Sequence, residues 1–293
     1  MELTLSTHLL VYAALDAAAL RALAASGYAT VEVWLAEPHV PWRDAHALEE
    51  FGGRLRDHGL RAGTVHLPFY PSVPALRAEN RRWSVIDPAS AAARREAVAG
   101  AAAGLQAAAA LGARAGVLHL GWQGDVWSES SHAWAREAVA ELLPVARHCG
   151  VQLLLENIIS EGTRAARLVE LLDELDPVGD AGVCLDLGHA HVEGDVLDQL
   201  EAALPRLAHL HVHDNDGASD DHRAPGAGTL PWRAVLGRLR AHDYRGQGAL
   251  EIRDSSKGRE TAATVVAREA GLARAFEHTW AARDLLPQPS GAR

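Results

Sequence analysis

Eight short apolar runs recur along this chain, each followed by a longer segment with helical spacing, and this alternation limits the fold more than any other feature. The runs fall at residues 3–9, 30–35, 63–67, 116–120, 151–155, 182–187, 208–212 and 249–252. The helical segments fall at 16–26, 44–58, 91–111, 131–148, 163–175, 196–204, 232–242 and 257–283. Runs this short and this continuously apolar suit strands buried on both faces, as in a parallel sheet. Strand and helix alternating eight times predict an α/β fold of the closed (β/α)8 barrel type. Six or seven units would suit an open doubly wound sheet, and no Gly-x-Gly-x-x-Gly follows the first run to support dinucleotide binding.

The punctuation agrees. Gly27, Gly59, Gly112 and Gly150 each follow a helical stretch and precede a strand, where glycine accepts a left-handed cap. No low-complexity linker divides the chain, so residues 1–285 read as one domain and 286–293 as a frayed tail. The longest connection, residues 68–89, carries Phe69, Tyr70 and Trp83 and is a candidate lid or substrate wall. Hydrophobic residues at 48% and charged residues at 23% fit a soluble globular protein. A formal net charge of −10 disfavours a large nucleic-acid interface. The start of the sequence lacks a signal-peptide pattern, and the most membrane-like stretch, 89–110, is interrupted by Arg94, Arg95, Glu96 and Gln106. Cys149 and Cys184, the only cysteines, read as buried thiols in a reducing compartment. The expected protein is a cytoplasmic enzyme.

Chemistry gathers at the carboxyl ends of the runs. From the third to the eighth they end on His66, His119, Glu156, Asp186, the triplet His209, His211 and His213, and Glu251. Six consecutive strands thus carry a His, Asp or Glu where the mouth of a barrel would be. Carboxylates crowded there would repel one another, and a divalent cation removes that cost. Imidazole with carboxylate suits zinc, manganese, cobalt or iron and fits calcium poorly. Alternation puts His209, His211 and His213 on one face, so at most one or two of them would be ligands. Asp186 has a competing use as a helix cap, and Glu156-Asn157 as a structural hydrogen-bonding pair. His8, His39, His46, His58, His132, His148 and His242 read as surface or packing residues. Asp220 and His222 precede Gly226 and Gly228 in a turn that lets backbone approach closely.

Taken together, Val65-His66-Leu67-Pro68-Phe69, Val117-Leu118-His119-Leu120-Gly121, Leu155-Glu156-Asn157, Asp186-Leu187-Gly188-His189, His211-Val212-His213-Asp214-Asn215, His222 through Gly228, and Leu250-Glu251 resemble the xylose isomerase-like barrel superfamily. The group includes sugar phosphate isomerases and epimerases, inosose dehydratases and endonuclease IV-like nucleases (AP endonuclease family 2). In the sugar-handling members the resemblance implies one divalent metal on Glu156, Asp186, His211 and Glu251, with His189 holding a substrate oxygen. In the nuclease branch it implies a trinuclear zinc cluster that also uses His66, His119, His189, Asp220 and His222.

The leading expectation is isomerisation or epimerisation of a sugar, sugar phosphate or polyol through an enediolate, with Glu156 and Glu251 as the acid-base pair. Trp34, Phe69, Tyr70, Trp122 and Trp127 would form the apolar wall. Cleavage at abasic DNA sites is the alternative, helped by Arg77, Arg81 and Arg82 beside Trp83. An inosose dehydratase-like elimination and a non-enzymatic sugar-binding barrel are further readings. A homodimer is implied by the resemblance only, and no membrane partner is expected.

Overall fold

The computed structural model describes residues 1–284, with side chains described through residue 278. The tail expected at 286–293 lies outside the described residues. Eight parallel strands close in chain order, with β8 pairing back onto β1. The strands are β1 (Glu2–Ser6), β2 (Thr30–Trp34), β3 (Arg61–His66), β4 (Ala115–Leu118), β5 (Gln152–Glu156), β6 (Gly182–Asp186), β7 (Leu207–Val212) and β8 (Gln247–Leu250). The helices are α1 (Ala17–Ala25), α2 (Ala45–Asp57), α3 (Val73–Glu79), α4 (Ala91–Ala110), α5 (Glu129–Cys149), α6 (Ala165–Leu175), α7 (Leu187–Val192), α8 (Val196–Ala203), α9 (Trp232–Ala241) and α10 (Ala262–Asp284). This is the (β/α)8 barrel that the alternation predicts.

Strand alternation decides what faces where. Leu153, Leu155, Val183, Leu185, Leu210, Val212 and Leu250 join the main hydrophobic core between strands and helices. Their neighbours Leu154 and Cys184 belong to a separate small cluster with Ala115 and Val117. Glu156, Asp186, His211 and Glu251 keep that second, inward register, and their donor atoms converge. Fully burying one such leucine stabilises the fold by about 2 kcal/mol, so the outer register is held firmly and carries the inner one with it.

Boundaries move by a few residues. The first run ends as strand at Ser6 and continues as a 3-10 turn, Thr7–Leu10, because the Ser6 hydroxyl accepts from the His8 amide and turns the chain. The last helix begins at Ala262 rather than 257, since residues 254–258 form a turn around Asp254. The connection expected as loop at 68–89 contains α3, capped by Ser72, whose hydroxyl accepts from the Ala75 amide. Of the two thiols, Cys184 is buried and Cys149 only partly so. The four glycines expected at helix ends all take positive φ, between 66° and 85°. Among the described residues, no helix is long and apolar enough to cross a membrane.

Candidate metal and active site

At the carboxyl end of the barrel, Glu156, Asp186, His211 and Glu251 bring ligand atoms within 4.8 Å of one another, all buried. Asp186 serves two ends at once. Its Oδ1 accepts from the His189 amide at 2.6 Å and caps α7, while Oδ2 lies 3.0 Å from His213 Nε2. The cap therefore orients the side chain instead of competing with the site. Asn157 locks the strand end: its Oδ1 accepts from the Asp186 amide at 2.6 Å and its Nδ2 donates to the Asp186 carbonyl at 3.0 Å. Gly188 is required by packing, because a Cβ there would fall 2.0 Å from His213 Cε1.

Two further donor groups adjoin the first. His66 and His119 meet Glu156 on one side, and His189, His213, Asp220 and His222 meet on the other. The segment after β7 folds back to supply Asp220 and His222. Asp214 organises it by accepting from the Gly226 and Leu230 amides and the Trp232 indole N–H, at 2.8–3.1 Å. Gly228 allows the return, since a Cβ there would sit 2.1 Å from the Asn215 carbonyl oxygen. His222 is held at a φ of 50°, an uncommon conformation for a residue with a side chain.

Tautomers are set by the backbone. His66 Nδ1–H donates to the Leu67 carbonyl at 2.9 Å, His189 Nδ1–H to the Asn157 carbonyl at 2.8 Å, and His222 Nδ1–H to the Glu251 carbonyl at 2.7 Å. A carbonyl only accepts, so each of these nitrogens carries its proton, and each ring in its neutral form presents an Nε2 lone pair. Those lone pairs face carboxylate oxygens: His66 to Glu156 at 3.3 Å, His222 to Asp220 at 3.0 Å, His189 to Asp220 at 3.7 Å. Lone pair against carboxylate is repulsive unless a proton or a cation lies between them. Glu156 Oε1, Glu251 Oε1, Asp220 Oδ1, His66 Nε2 and His211 Nδ1 are buried without a hydrogen-bond partner. Such unpaired groups are costly in a folded core. Their convergence fits divalent cations, and the backbone carbonyls supply the outer hydrogen bonds that metal-bound imidazoles require.

The charges are strongly coupled. Burial by itself would raise the Glu156 carboxyl, but His119 and His211 beside it hold it well below the usual carboxylate range. Glu251 is pushed well above that range by burial and by the like charges of Glu156 and Asp186, which outweigh His211. The two carboxyls about one imidazole are thus driven in opposite directions in the metal-free site.

Glu32, on β2, is missing from the sequence reading of the site. It is fully buried and accepts from His211 Nε2 at 3.4 Å and from the Thr64 hydroxyl at 2.9 Å. His211 thereby points Nδ1 at Glu156, 3.1 Å away, and at Glu251, 3.4 Å away. His209 lies one layer below, with Nε2 3.3 Å from Glu32. A lone carboxylate in the second strand offered no pattern to find; only barrel closure sets it under β7. Cys184, a packing thiol by sequence, also lies in ligand range of His209 and His211.

The cavity above these groups has a volume of about 670 Å³. Trp34, Phe69, Tyr70 and Trp122 line it, as expected. Trp127 does not belong to that wall: it packs over Gly162, where a Cβ would fall 1.8 Å from its ring. His8, assigned by sequence to surface or packing, also lines the cavity, stacked on Trp34 at 4.3 Å between ring centroids. Of the expected basic cluster only Arg77 lines the cavity; Arg81 pairs with Glu96 at 3.0 Å and Arg82 stacks on Trp122.

The family described as xylose isomerase-like TIM barrel matches residues 20–279. An uncharacterized protein of Methanocaldococcus jannaschii is 27% identical over 219 residues, 70% of each chain. Fructoselysine 3-epimerase of Shigella flexneri is 27% identical over 128 residues, 41% of this chain and 45% of that one. The crystal structure of D-psicose 3-epimerase with D-tagatose from Clostridium cellulolyticum superposes with a TM-score of 0.72 at 20% identity, covering 95% of this chain and 99% of that one. With a match over most of its length and the closed barrel in place, the chain belongs to the xylose isomerase-like TIM barrel family.

Proposed function

We propose that the protein is a metal-dependent isomerase or epimerase of a sugar, sugar phosphate or polyol, working through an enediolate. The observation that carries the reading is the pair Glu156 and Glu251. They come from β5 and β8 and flank His211 Nδ1 at 3.1 and 3.4 Å. Glu156, Asp186, His211 and Glu251 would hold a divalent ion. That ion supplies Lewis acidity, which lowers the cost of removing a carbon-bound proton beside a carbonyl. One glutamate of the pair would take the carbon-bound proton, and the other would deliver a proton to the opposite face or the adjacent carbon. His189 holds a substrate oxygen through Nε2, since its Nδ1–H is committed to the Asn157 carbonyl. Trp34, Phe69, Tyr70 and Trp122 cover the apolar face of the sugar and keep water away. The relatives named for 3-epimerisation support this reading.

The test is a panel of ketoses and polyols on protein reconstituted with zinc, manganese or cobalt, with products resolved by chromatography. Release of water in place of an isomer would transfer the reading to an inosose dehydratase-like elimination. No turnover on any member would remove it.

A second reading rests on the two donor groups beside the first, which together would suit three zinc ions and cleavage at abasic DNA sites. It is less favoured because Arg81 is paired with Glu96 and Arg82 stacks on Trp122, so that of the three arginines expected on that loop only Arg77 lines the cavity. Metal content per chain, followed by an abasic-duplex assay at low salt, separates the two.

A further inference from the structure

The rim of the cavity is chemically opposite to its floor. The floor is crowded with carboxylates, whereas Arg77 from α3 and Arg253 and Lys257 from the segment after β8 line the wall above it. Tyr12 joins these cations. The Arg77 guanidinium lies 4.4 Å from the Tyr12 ring centroid. A Cβ on Gly258 would fall 2.8 Å from Tyr12 Cβ, so the turn carrying Lys257 packs on the same residue. The Arg253 amide donates to the His222 carbonyl at 2.9 Å, which roots that side chain beside the floor.

These cations are poorly paired. The nearest carboxylate oxygen to Arg253 belongs to Asp220, at 3.9 Å. Among the described residues neither Arg77 nor Lys257 has a carboxylate within 4.0 Å, whereas Arg43, Arg81 and Arg206 are each paired at 3.0 Å or less. Lys257 is also the sole lysine in the chain. Its turn is built. Buried Asp254 accepts from the Ser256 amide at 2.8 Å and the Gly258 amide at 2.7 Å, and its carbonyl accepts from the Lys257 amide at 3.0 Å. That turn holds Lys257 at a φ of 55°, a conformation costly enough to need this support.

We propose that Arg77, Arg253 and Lys257 form a subsite for a terminal anionic group, phosphate or carboxylate, on the small-molecule substrate. The proposal rests on the sugar reading above and narrows it to an acidic sugar derivative. An anionic end is attracted to the cations at the rim, so the charge pattern would also orient the molecule, with its carbonyl end toward the ligand groups of the floor. Loops after the last two strands are a common place for phosphate in barrels of this type. A duplex would need a long stripe of cations, and here the three line a single cavity.

The test measures binding of three non-isomerisable probes to the metal-loaded protein by calorimetry: a hexitol, the hexitol 6-phosphate and the corresponding hexonate. Wild type is expected to bind one anionic probe at least about tenfold tighter than the hexitol. Lys257→Gln and Arg77→Gln should each bring that ratio toward one, while Lys257→Arg should keep most of it. Which anionic probe wins names the group. Equal binding of all three probes, or equal weakening of all three by the variants, overturns the subsite even where neutral ketoses are turned over. A Lys257-dependent preference without turnover of any sugar keeps the subsite and removes the isomerase. Lys257-dependent binding of abasic duplex with no hexitol binding removes both.

Discussion

The two sides of the cavity are built on different principles. The side from β5 to β8 is polar, with donor atoms of Glu156, Asp186, His211 and Glu251 within 4.8 Å and tautomers fixed by backbone carbonyls. The side from β1 to β3 is aromatic: His8 stacks on Trp34, Trp34 on His66, and the Trp34 indole N–H donates to the Tyr70 hydroxyl at 2.8 Å. One side gathers charge that repels itself until a cation arrives. The other offers an aromatic face on which the Trp34 indole N–H and the Tyr70 hydroxyl satisfy each other. Under the proposed function the comparison implies a division of labour: chemistry from one half, placement and exclusion of water from the other.

The sharpest way to break it is Glu156→Gln, since Glu156 borders both the His66–His119 group and the Asp186–His211–Glu251 group. Turnover should fall on the order of 10³-fold, with bound metal reduced and circular dichroism unchanged. Glu251→Gln should cost a similar factor in kcat with less loss of metal. Near-normal activity in both variants would end the acid-base assignment.

The aromatic side has its own liability in pH. His39 bridges the Ala13 carbonyl and the Thr7 hydroxyl, and burial takes it down to about 4. Its folded value lies below the ordinary 6.5, so the unfolded chain binds the proton first on acidification. The stability from a neutral His39 is complete above about pH 6.5 and falls away as the pH drops to 4, by about 3 kcal/mol. Metal-free protein compared with His39→Gln in urea titrations should show that difference in slope; parallel curves would assign the acid loss to the charged side alone.

Glu32→Gln should weaken metal binding by about 10- to 100-fold in chelator competition, because Glu32 orients and polarises His211 from below. An unchanged affinity would reduce Glu32 to a packing group in the polar layer with Thr64 and His209. The smallest effect is expected from Tyr70→Phe, which strands the buried Trp34 N–H at a cost of about 1 kcal/mol in stability. It should raise KM and leave kcat within about threefold; a large loss in kcat would mean that the aromatic side takes part in the chemistry.

Much of the charged half is legible in sequence because strand ends repeat. Each inward residue there follows an apolar run, as Glu156 follows Leu155 and Asp186 follows Leu185, so register and position coincide. Gly228 is legible in a turn that lets backbone approach closely, and a side chain there would meet the Asn215 carbonyl; the need for Gly188, whose side chain would meet His213, shows only in the folded barrel. The aromatic half is harder to read. Trp34 and Trp127 look alike in sequence, yet one lines the cavity and the other packs on Gly162. His8 lies in a 3-10 turn that an apolar run conceals.

The sequence by itself determined the barrel and its inward set of His, Asp and Glu, because both depend on local periodicity: eight apolar runs, and alternation along each. Only the tertiary structure decided which partners meet. It sets Glu32 beneath His211, 179 positions away, and brings Arg77 and the turn after Lys257 onto Tyr12. Those juxtapositions arise from closing β8 onto β1 and from loops folding over the mouth, and no local pattern encodes a distance across a closed ring.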